Sequence, residues 1–382
     1  MKICHLIYDD VNNPWLGGGG AVRALEIYRR LASDHEITLV TGKFPGGGEE
    51  DRIDGVRIIR VGSDRSYARS RLAYCRQAIG RLRSLEWDVW VHEFSAFAPL
   101  RVSPKLRNLG VLFFYHFVGA HAMRKHPLVG GVSWFAEYRT LRSYRRILTI
   151  SPSMQDTVRA RLGERQVDLS CVYTGIDSRY FELEPEEGAY LLYFGRTDIH
   201  TKGLDVLIRS VARIAGDYPG LSLKMAGRGT ERAHKALGKL ISDANLGARV
   251  HIEGAVDDRR KGELLRRALF VCAPSRYEGW CIVAIEAAAC GKAVLGTRID
   301  GLRDAVRDGE TGVLVGSGDV AELETGMRRL LDDRELRSTC GQRGRKWARR
   351  FDWDSIAERQ GAILEAAARE NRTRPSTHAG PQ

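Results

Sequence analysis

From end to end, the chain alternates short, β-branched apolar runs with longer amphipathic stretches. KICHLIY, EITLVT, VRIIRV, DVWVHEF, GVLFFYHF, RILTIS and LSCVYT mark the first half, and AYLLYFG, LSLKMAG, RVHIEG, ALFVCAP, KAVLGT and TGVLVG the second. Runs of strand length separated by helix-length segments call for parallel sheets, because a parallel pair needs a crossover that lays a helix on the sheet face. A doubly wound sheet holds about six strands. The runs therefore predict an α/β protein of two Rossmann-like doubly wound domains.

The seam between them is expected in FELEPEEGAY, residues 181–190, which is acidic, contains Pro185 and Gly188, and lacks apolar periodicity. This assigns 1–182 to one domain and 189–350 to the other. The polar tail 371–382, NRTRPSTHAGPQ, is expected to be disordered. In FDWDSIAERQ, Asp352 or Asp354 is placed to cap a last helix.

With 43% hydrophobic and 28% charged residues in 382, disordered and collagen-like classes are excluded. No apolar run reaches membrane-spanning length and the N-terminus does not read as a signal peptide, so a cytoplasmic location is expected. The seven cysteines are scattered, without a CxxC pair, which predicts free thiols and neither a disulfide framework nor a zinc site. A formal charge of +12 calls for an anionic partner: nucleotide phosphates, an anionic membrane surface or nucleic acid. A nucleic-acid reading lacks a helix-turn-helix, a zinc pattern or RNP-type aromatics, and no nucleic-acid partner is expected.

Four stretches carry candidate chemistry. Gly17, Gly18, Gly19 and Gly20 follow the first strand and lead into a helix expected from about Ala21. Such a loop brings backbone N–H groups close to a phosphate or a sugar, or is only a surface turn. Arg196 and Lys202, in GRTDIHTKG, sit between strand and helix, where a diphosphate could be clamped. Gly227 and Arg228 repeat the pattern after a later strand, and a tight turn explains them equally well. Finally, SRYEGWCIVAIEAAACGK places Glu278 just before a helix and Glu286 inside it. The amides near Gly279, Trp280, Cys281 and Ile282 then form an anion site between two carboxylates. Taken alone, the spacing suits a phosphate flanked by hydroxyl-bearing groups, or an exposed Glu278 and a Glu286 paired with an arginine.

These residues together resemble the retaining glycosyltransferases of family 4, with the GT-B fold. EGWCIVAIE matches the family's E-x7-E motif, YTGIDSRYF resembles its NGID run, YFGRTDIHTKGLDVLI its GR-x4-KG loop with five residues, TDIHT, between the two pairs, and FDWDSIAER its C-terminal F-x-W. The resemblance implies that a nucleoside diphosphate sugar is the donor, bound in the interdomain cleft and mostly by the second domain. Arg196 and Lys202 would neutralise the diphosphate, the amides of Cys281 and Ile282 the distal phosphate, Glu286 would hold the ribose, and Glu278 the transferred sugar. The glycine loop would close on the donor, and His116 occupies the place of a family histidine near the sugar. It also implies an N-terminal acceptor-binding domain, a helix over about 352–370 crossing back to it, and transfer with retention giving an α-glycoside. No cofactor and no metal are expected, since the two cations can stabilise the leaving group and DWD at 352–354 reads as helix capping. Thr174, Cys281 and Asp300 depart from the family pattern, and Cys281 lies beside the phosphate amides.

Residues 65–85 contain six arginines and no acid, with Ala68, Leu72, Cys75, Ile79 and Leu82 on one helical face. This is a basic amphipathic helix for an anionic membrane or a phosphorylated acceptor, or an ordinary helix packed on its sheet. The segment 123–146 adds Trp134 and Phe135 among cations. A phosphorylase or epimerase on the same fold is the competing enzyme reading.

Overall fold

The computed structural model describes residues 1–15, 18–95, 99, 101–115, 117 and 127–373. The chain divides into two compact units, Met1–Tyr173 with Trp353–Gln382, and Thr174–Asp352. Residues 174–182, expected in the first domain, belong to the second unit. The acidic seam is not a free linker, because its charges are paired within that unit: Glu187 meets Arg337 at 2.5 Å and Arg334 at 2.9 Å, and the Glu186 amide donates to the Arg266 carbonyl at 2.8 Å.

The first unit is built on β1 (Lys2–Leu6), β2 (Glu36–Gly42), β3 (Glu50–Ile53), β4 (Val56–Val61), β5 (Val89–Glu93), β6 (Gly110–Phe114), β7 (Arg146–Thr149) and β8 (Asp168–Cys171). Their order is β3-β4-β2-β1-β5-β6-β7-β8, parallel except for the hairpin partner β3. The charged edge strand β3, EDRI, has no apolar run to announce it and is absent from the sequence reading. The strand order reverses between β1 and β5, so the crevice of this unit opens beyond the carboxyl ends of these two strands. On one face, the helices Gly19–Leu31 and Trp353–Thr373 pack together over Ile27, Tyr28, Ile356 and Leu364. On the other, the helices Tyr67–Arg83, Pro127–Leu141 and Pro152–Leu162 share a core with Leu6, Trp90, Leu112 and Ile147.

Two expectations change here. The last helix runs through Asn371 to Thr373, and Asn371 donates to the carbonyls of Asp88 and Leu109 at 3.1 and 3.0 Å, so these three residues are ordered, not tail. The rest of that tail, 374–382, lies outside the described residues, as do 123–126 of the second basic segment. The Tyr67–Arg83 helix buries Tyr74, Ala78, Ile79 and Leu82 against its sheet, so Ile79 and Leu82 of the expected lipid-facing stripe are core. Leu72 remains as its exposed large apolar side chain.

The second unit holds β9 (Tyr190–Phe194), β10 (Ser222–Ala226), β11 (Val250–Gly254), β12 (Val271–Ala273), β13 (Val294–Thr297) and β14 (Gly312–Val315). All are parallel, in the order β11-β10-β9-β12-β13-β14. The reversal falls between β9 and β12. The loops that carry Arg196, Lys202 and Glu278 leave these two strands.

Candidate active site

The loop after β9 and the loop after β12 are tied together by Arg276. Its guanidinium makes two bonds to Asp205, at 2.7 and 2.8 Å, and one to the His200 carbonyl at 2.8 Å, while its amide donates to the Thr201 carbonyl at 2.9 Å. A planar five-donor fork fixes orientation in a way a lysine cannot. Gly203 permits the close approach: its φ is +65°, and a Cβ there would lie 2.0 Å from the Pro274 carbonyl oxygen.

Glu278 is thereby brought to Lys202. One carboxylate oxygen accepts from the Lys202 ammonium and from the Ser275 hydroxyl, the latter at 2.9 Å. Both ends of the pair are largely buried. Arg196, in contrast, is exposed, and among the described residues its guanidinium has no partner. Its carbonyl accepts from the Tyr193 hydroxyl at 2.7 Å.

The helix Ile282–Ala289 starts at Cys281 with no side-chain cap. Burial, then the nearby Glu278 charge, pushes the Cys281 thiol up to about 12, so a neutral thiol stands beside the first-turn amides. The first-turn amides of Ile282 and Val283 lie at the positive end of the helix dipole, where an anion is stabilised. Trp280 contributes packing, its ring 5.2 Å from that of Phe351. Deeper in the helix, Glu286 is buried and one of its oxygens receives the Lys261 ammonium at 2.6 Å. The other oxygen, Oε2, is buried without a hydrogen-bond partner among the described residues. Lys261 was missed in the sequence, where an arginine was considered. It stands in RRKGELL like any surface cation, and only folding sets it 4.8 Å from the Phe194 ring and 5.6 Å from Tyr180.

Gly227 resolves toward the turn reading. Its φ is +136°, a Cβ would fall 2.0 Å from the Gly195 carbonyl oxygen, and its N–H is already engaged by the Gly254 carbonyl at 2.7 Å. Arg228 is exposed, its carbonyl held by the Thr197 amide at 2.8 Å.

In the first unit, Gly17 and His116 lie outside the described residues. Gly18 is the extended N-cap of a helix that begins at Gly19, two residues earlier than expected, so Gly19 and Gly20 form its first turn. These glycines face carboxylates: a Cβ on Gly18 would sit 2.9 Å from Asp9 Oδ2, and one on Gly20 3.1 Å from Glu93 Oε1. Burial, then repulsion from Glu93, raises Asp9 to about 7. The Tyr115 hydroxyl donates to Glu93 at 3.1 Å. A phosphate would be repelled here, whereas hydroxyl groups would be accepted. Asp9 and Glu93 are absent from the sequence reading: Asp9 follows KICHLIY and Glu93 stands inside DVWVHEF, and only the β1–β5 adjacency brings them together.

Among the described residues, no three His, Cys, Asp or Glu side chains are gathered to hold a metal ion. Two family models match in succession: Glycosyltransferase Family 4 over 17–180 and Glycosyl transferases group 1 over 177–347. The chain belongs to the glycosyltransferases. This glycosyltransferase is 32% identical over 243 residues to a glycogen synthase of Mycobacterium tuberculosis, covering 59% of this chain and 55% of that one. It is 33% identical over 186 residues to the phosphatidyl-myo-inositol mannosyltransferase of Mycobacterium leprae, covering 48% of each. The matched stretches thus span about half the length of these relatives. Its fold is that of sucrose-phosphate synthase from Thermosynechococcus elongatus, with a TM-score of 0.82 at 20% identity over 96% of this chain and 98% of that chain. The GT-B architecture follows from these matches and from the two sheets.

Proposed function

We propose that this glycosyltransferase moves a hexose from a UDP- or GDP-sugar to a hydroxyl acceptor with retention of configuration, forming an α-glycoside. One observation carries the reading: Glu278 and Glu286 flank an uncapped helix N-terminus at the β9–β12 reversal, each with one oxygen held by a lysine and Glu286 with a buried oxygen left over. An unfilled buried acceptor costs on the order of 1–3 kcal/mol, which a ribose hydroxyl donating to Glu286 Oε2 would relieve.

In this reading the distal phosphate meets the amides of Ile282 and Val283, and Arg196 swings from solvent onto the diphosphate. Lys202 lies between the diphosphate and Glu278, so it balances the leaving-group charge while Glu278 accepts hydrogen bonds from the sugar. As the anomeric C–O bond breaks, the electron pair goes to the phosphate oxygen, and positioned cations supply the stabilisation. The acceptor oxygen then bonds to the anomeric carbon from the face just vacated, and its proton passes to the departing phosphate oxygen. No bound metal is required by this arrangement, and no side chain need act as base.

A panel of UDP-, GDP- and ADP-sugars, read first by thermal shift and then by product NMR, tests the reading. An α-linked product formed with stoichiometric nucleoside diphosphate supports it. A β-linked product, or a sugar 1-phosphate released by inorganic phosphate, would overturn it, the second favouring the phosphorylase alternative.

A further inference from the structure

A chain of buried polar groups that the transfer chemistry does not use runs through the first unit and ends at Glu93. Arg23, Tyr28, His5 and Gln360 are each at most 1% exposed, and Gln360 comes from the last helix. Arg23 donates to Gln360 Oε1 at 2.9 Å and to the Val172 carbonyl at 3.2 Å. A guanidinium can only donate, so the amide is fixed: its oxygen receives Arg23, and Gln360 Nε2 donates to the Tyr28 hydroxyl oxygen at 3.4 Å. With its oxygen engaged, Tyr28 turns its one proton to His5 Nδ1, 3.0 Å away. His5 Nδ1 is therefore the bare nitrogen, and the ring proton stands on Nε2. This Nε2 is buried, has no hydrogen-bond partner among the described residues, and is aimed at Glu93 Oε2 from 3.4 Å. The Tyr115 hydroxyl donates to the same oxygen at 3.1 Å.

Both groups converge on Oε2, and Oε1 is the oxygen that faces the glycine turn, 3.1 Å from where a Cβ on Gly20 would stand. We propose that Glu93 Oε1 receives a hydroxyl of an uncharged sugar acceptor, and that Gln360, acting through Tyr28 and His5, holds the carboxylate in that role. The sugar class follows from the surroundings. Asp9 stands at the same glycine turn, beside Gly18, and two acids repel a phosphorylated ligand while accepting from hydroxyl groups. Trp15 and Tyr67, both half-buried, set their ring centroids 6.2 Å apart, and Tyr67 is joined to the Asp9 side by Arg71, whose guanidinium lies 4.9 Å from its ring. A pyranose presents an apolar C–H face and a rim of hydroxyls, which an aromatic surface beside carboxylates matches. Gln360, Tyr28 and His5 touch no ligand and are positioning residues. The inference names the acceptor of the transfer reading and rests on that reading.

Two measurements test it. Saturation-transfer NMR with UDP or GDP present reads the binding of methyl α-D-glucopyranoside, methyl α-D-mannopyranoside and maltose, with glucose 6-phosphate as the charged counterpart. Wild type should bind at least one of the neutral sugars, and glucose 6-phosphate about tenfold or more weakly; Glu93→Gln should weaken the neutral sugar by about tenfold or more. Binding of none of the neutral sugars, equal or tighter binding of the phosphate ester, or undiminished binding by Glu93→Gln overturns the acceptor assignment. Nitrogen NMR of labelled histidine, with His5 assigned by its loss in His5→Phe, reads the ring proton. In wild type it should sit on Nε2, with Nδ1 bare. Gln360→Glu keeps an oxygen for Arg23 but takes the Tyr28 proton, so the Tyr28 oxygen turns to accept from His5 and Nδ1 becomes protonated. A protonated Nδ1 in wild type, or a bare one in Gln360→Glu, overturns the relay, because a merely structural Gln360 would leave that proton where it was. The donor-induced thermal shift reads the second unit alone, so failure of sugar binding is distinguishable from failure of the transfer reading.

Discussion

Lys261 holds one oxygen of Glu286 at 2.6 Å, and the other oxygen of the same buried carboxylate has no hydrogen-bond partner among the described residues. A half-satisfied buried acid is costly, and in the proposed reading a ribose hydroxyl supplies the missing donor. Glu286→Ala should raise the KM for the nucleotide sugar by about 10–100-fold, roughly 1.4–2.8 kcal/mol, with a smaller change in kcat. Lys261→Met should instead lower the melting temperature, because it strands the carboxylate. Steady-state kinetics and calorimetry on the two variants separate these effects.

Glu278→Gln keeps the shape and the Ser275 hydrogen bond but removes the charge that faces Lys202. The expected loss is about 10²–10³ in kcat with the fold intact, comparable to removing one preorganised polar group from an active site. Unchanged turnover would remove Glu278 from the reaction.

Arg276 touches no substrate in this reading and acts through the loops it joins. Arg276→Ala breaks the Asp205 pair and frees the His200 carbonyl, so kcat should fall about tenfold or more while Arg276→Lys restores little, since a point charge cannot reproduce the fork. Gly203→Ala should be more severe, losing several kcal/mol of stability from both its positive φ and the collision with Pro274. Chemical denaturation measures it.

Asp9 gives a pH signature. Its folded value is about 7 against 3.8 ordinarily, so the folded state binds the extra proton and stability falls as pH rises between those values. Asp9→Asn should therefore melt with wild type below about pH 4 and increasingly above it toward pH 7. Parallel melting curves across that range would show that Asp9 does not titrate there.

Chelation provides the last check. With Arg196 and Lys202 supplying positive charge, activity should be unchanged by EDTA. Loss on chelation with recovery on Mn²⁺ would overturn that account.

Thirteen strands, the two-sheet division and the Glu278–Glu286 spacing were legible in the sequence because each depends on local period or on residues within one loop and helix. The edge strand β3 was not, since an antiparallel edge can be charged throughout and still pair with β4. The Tyr67–Arg83 helix shows a subtler limit. Its composition admitted two faces, and the sheet selected the one led by Tyr74, whose hydroxyl donates to the Val40 carbonyl at 3.3 Å.

What the sequence determined by itself was the set of chemical groups and their strand-end and helix-start positions, since periodicity and motif spacing are local properties. Only the tertiary structure decided which groups meet. Lys202 reaches Glu278 across 76 residues because β9 and β12 are neighbours at the reversal, and Asp9 faces Glu93 because β1 lies beside β5. The outward turn of Trp134 and Phe135 was likewise a choice of the fold, made when Ser133, Glu137 and Thr140 were packed inside. Strand order and helix rotation are settled by burial summed over the whole sheet, and no window of sequence contains that sum.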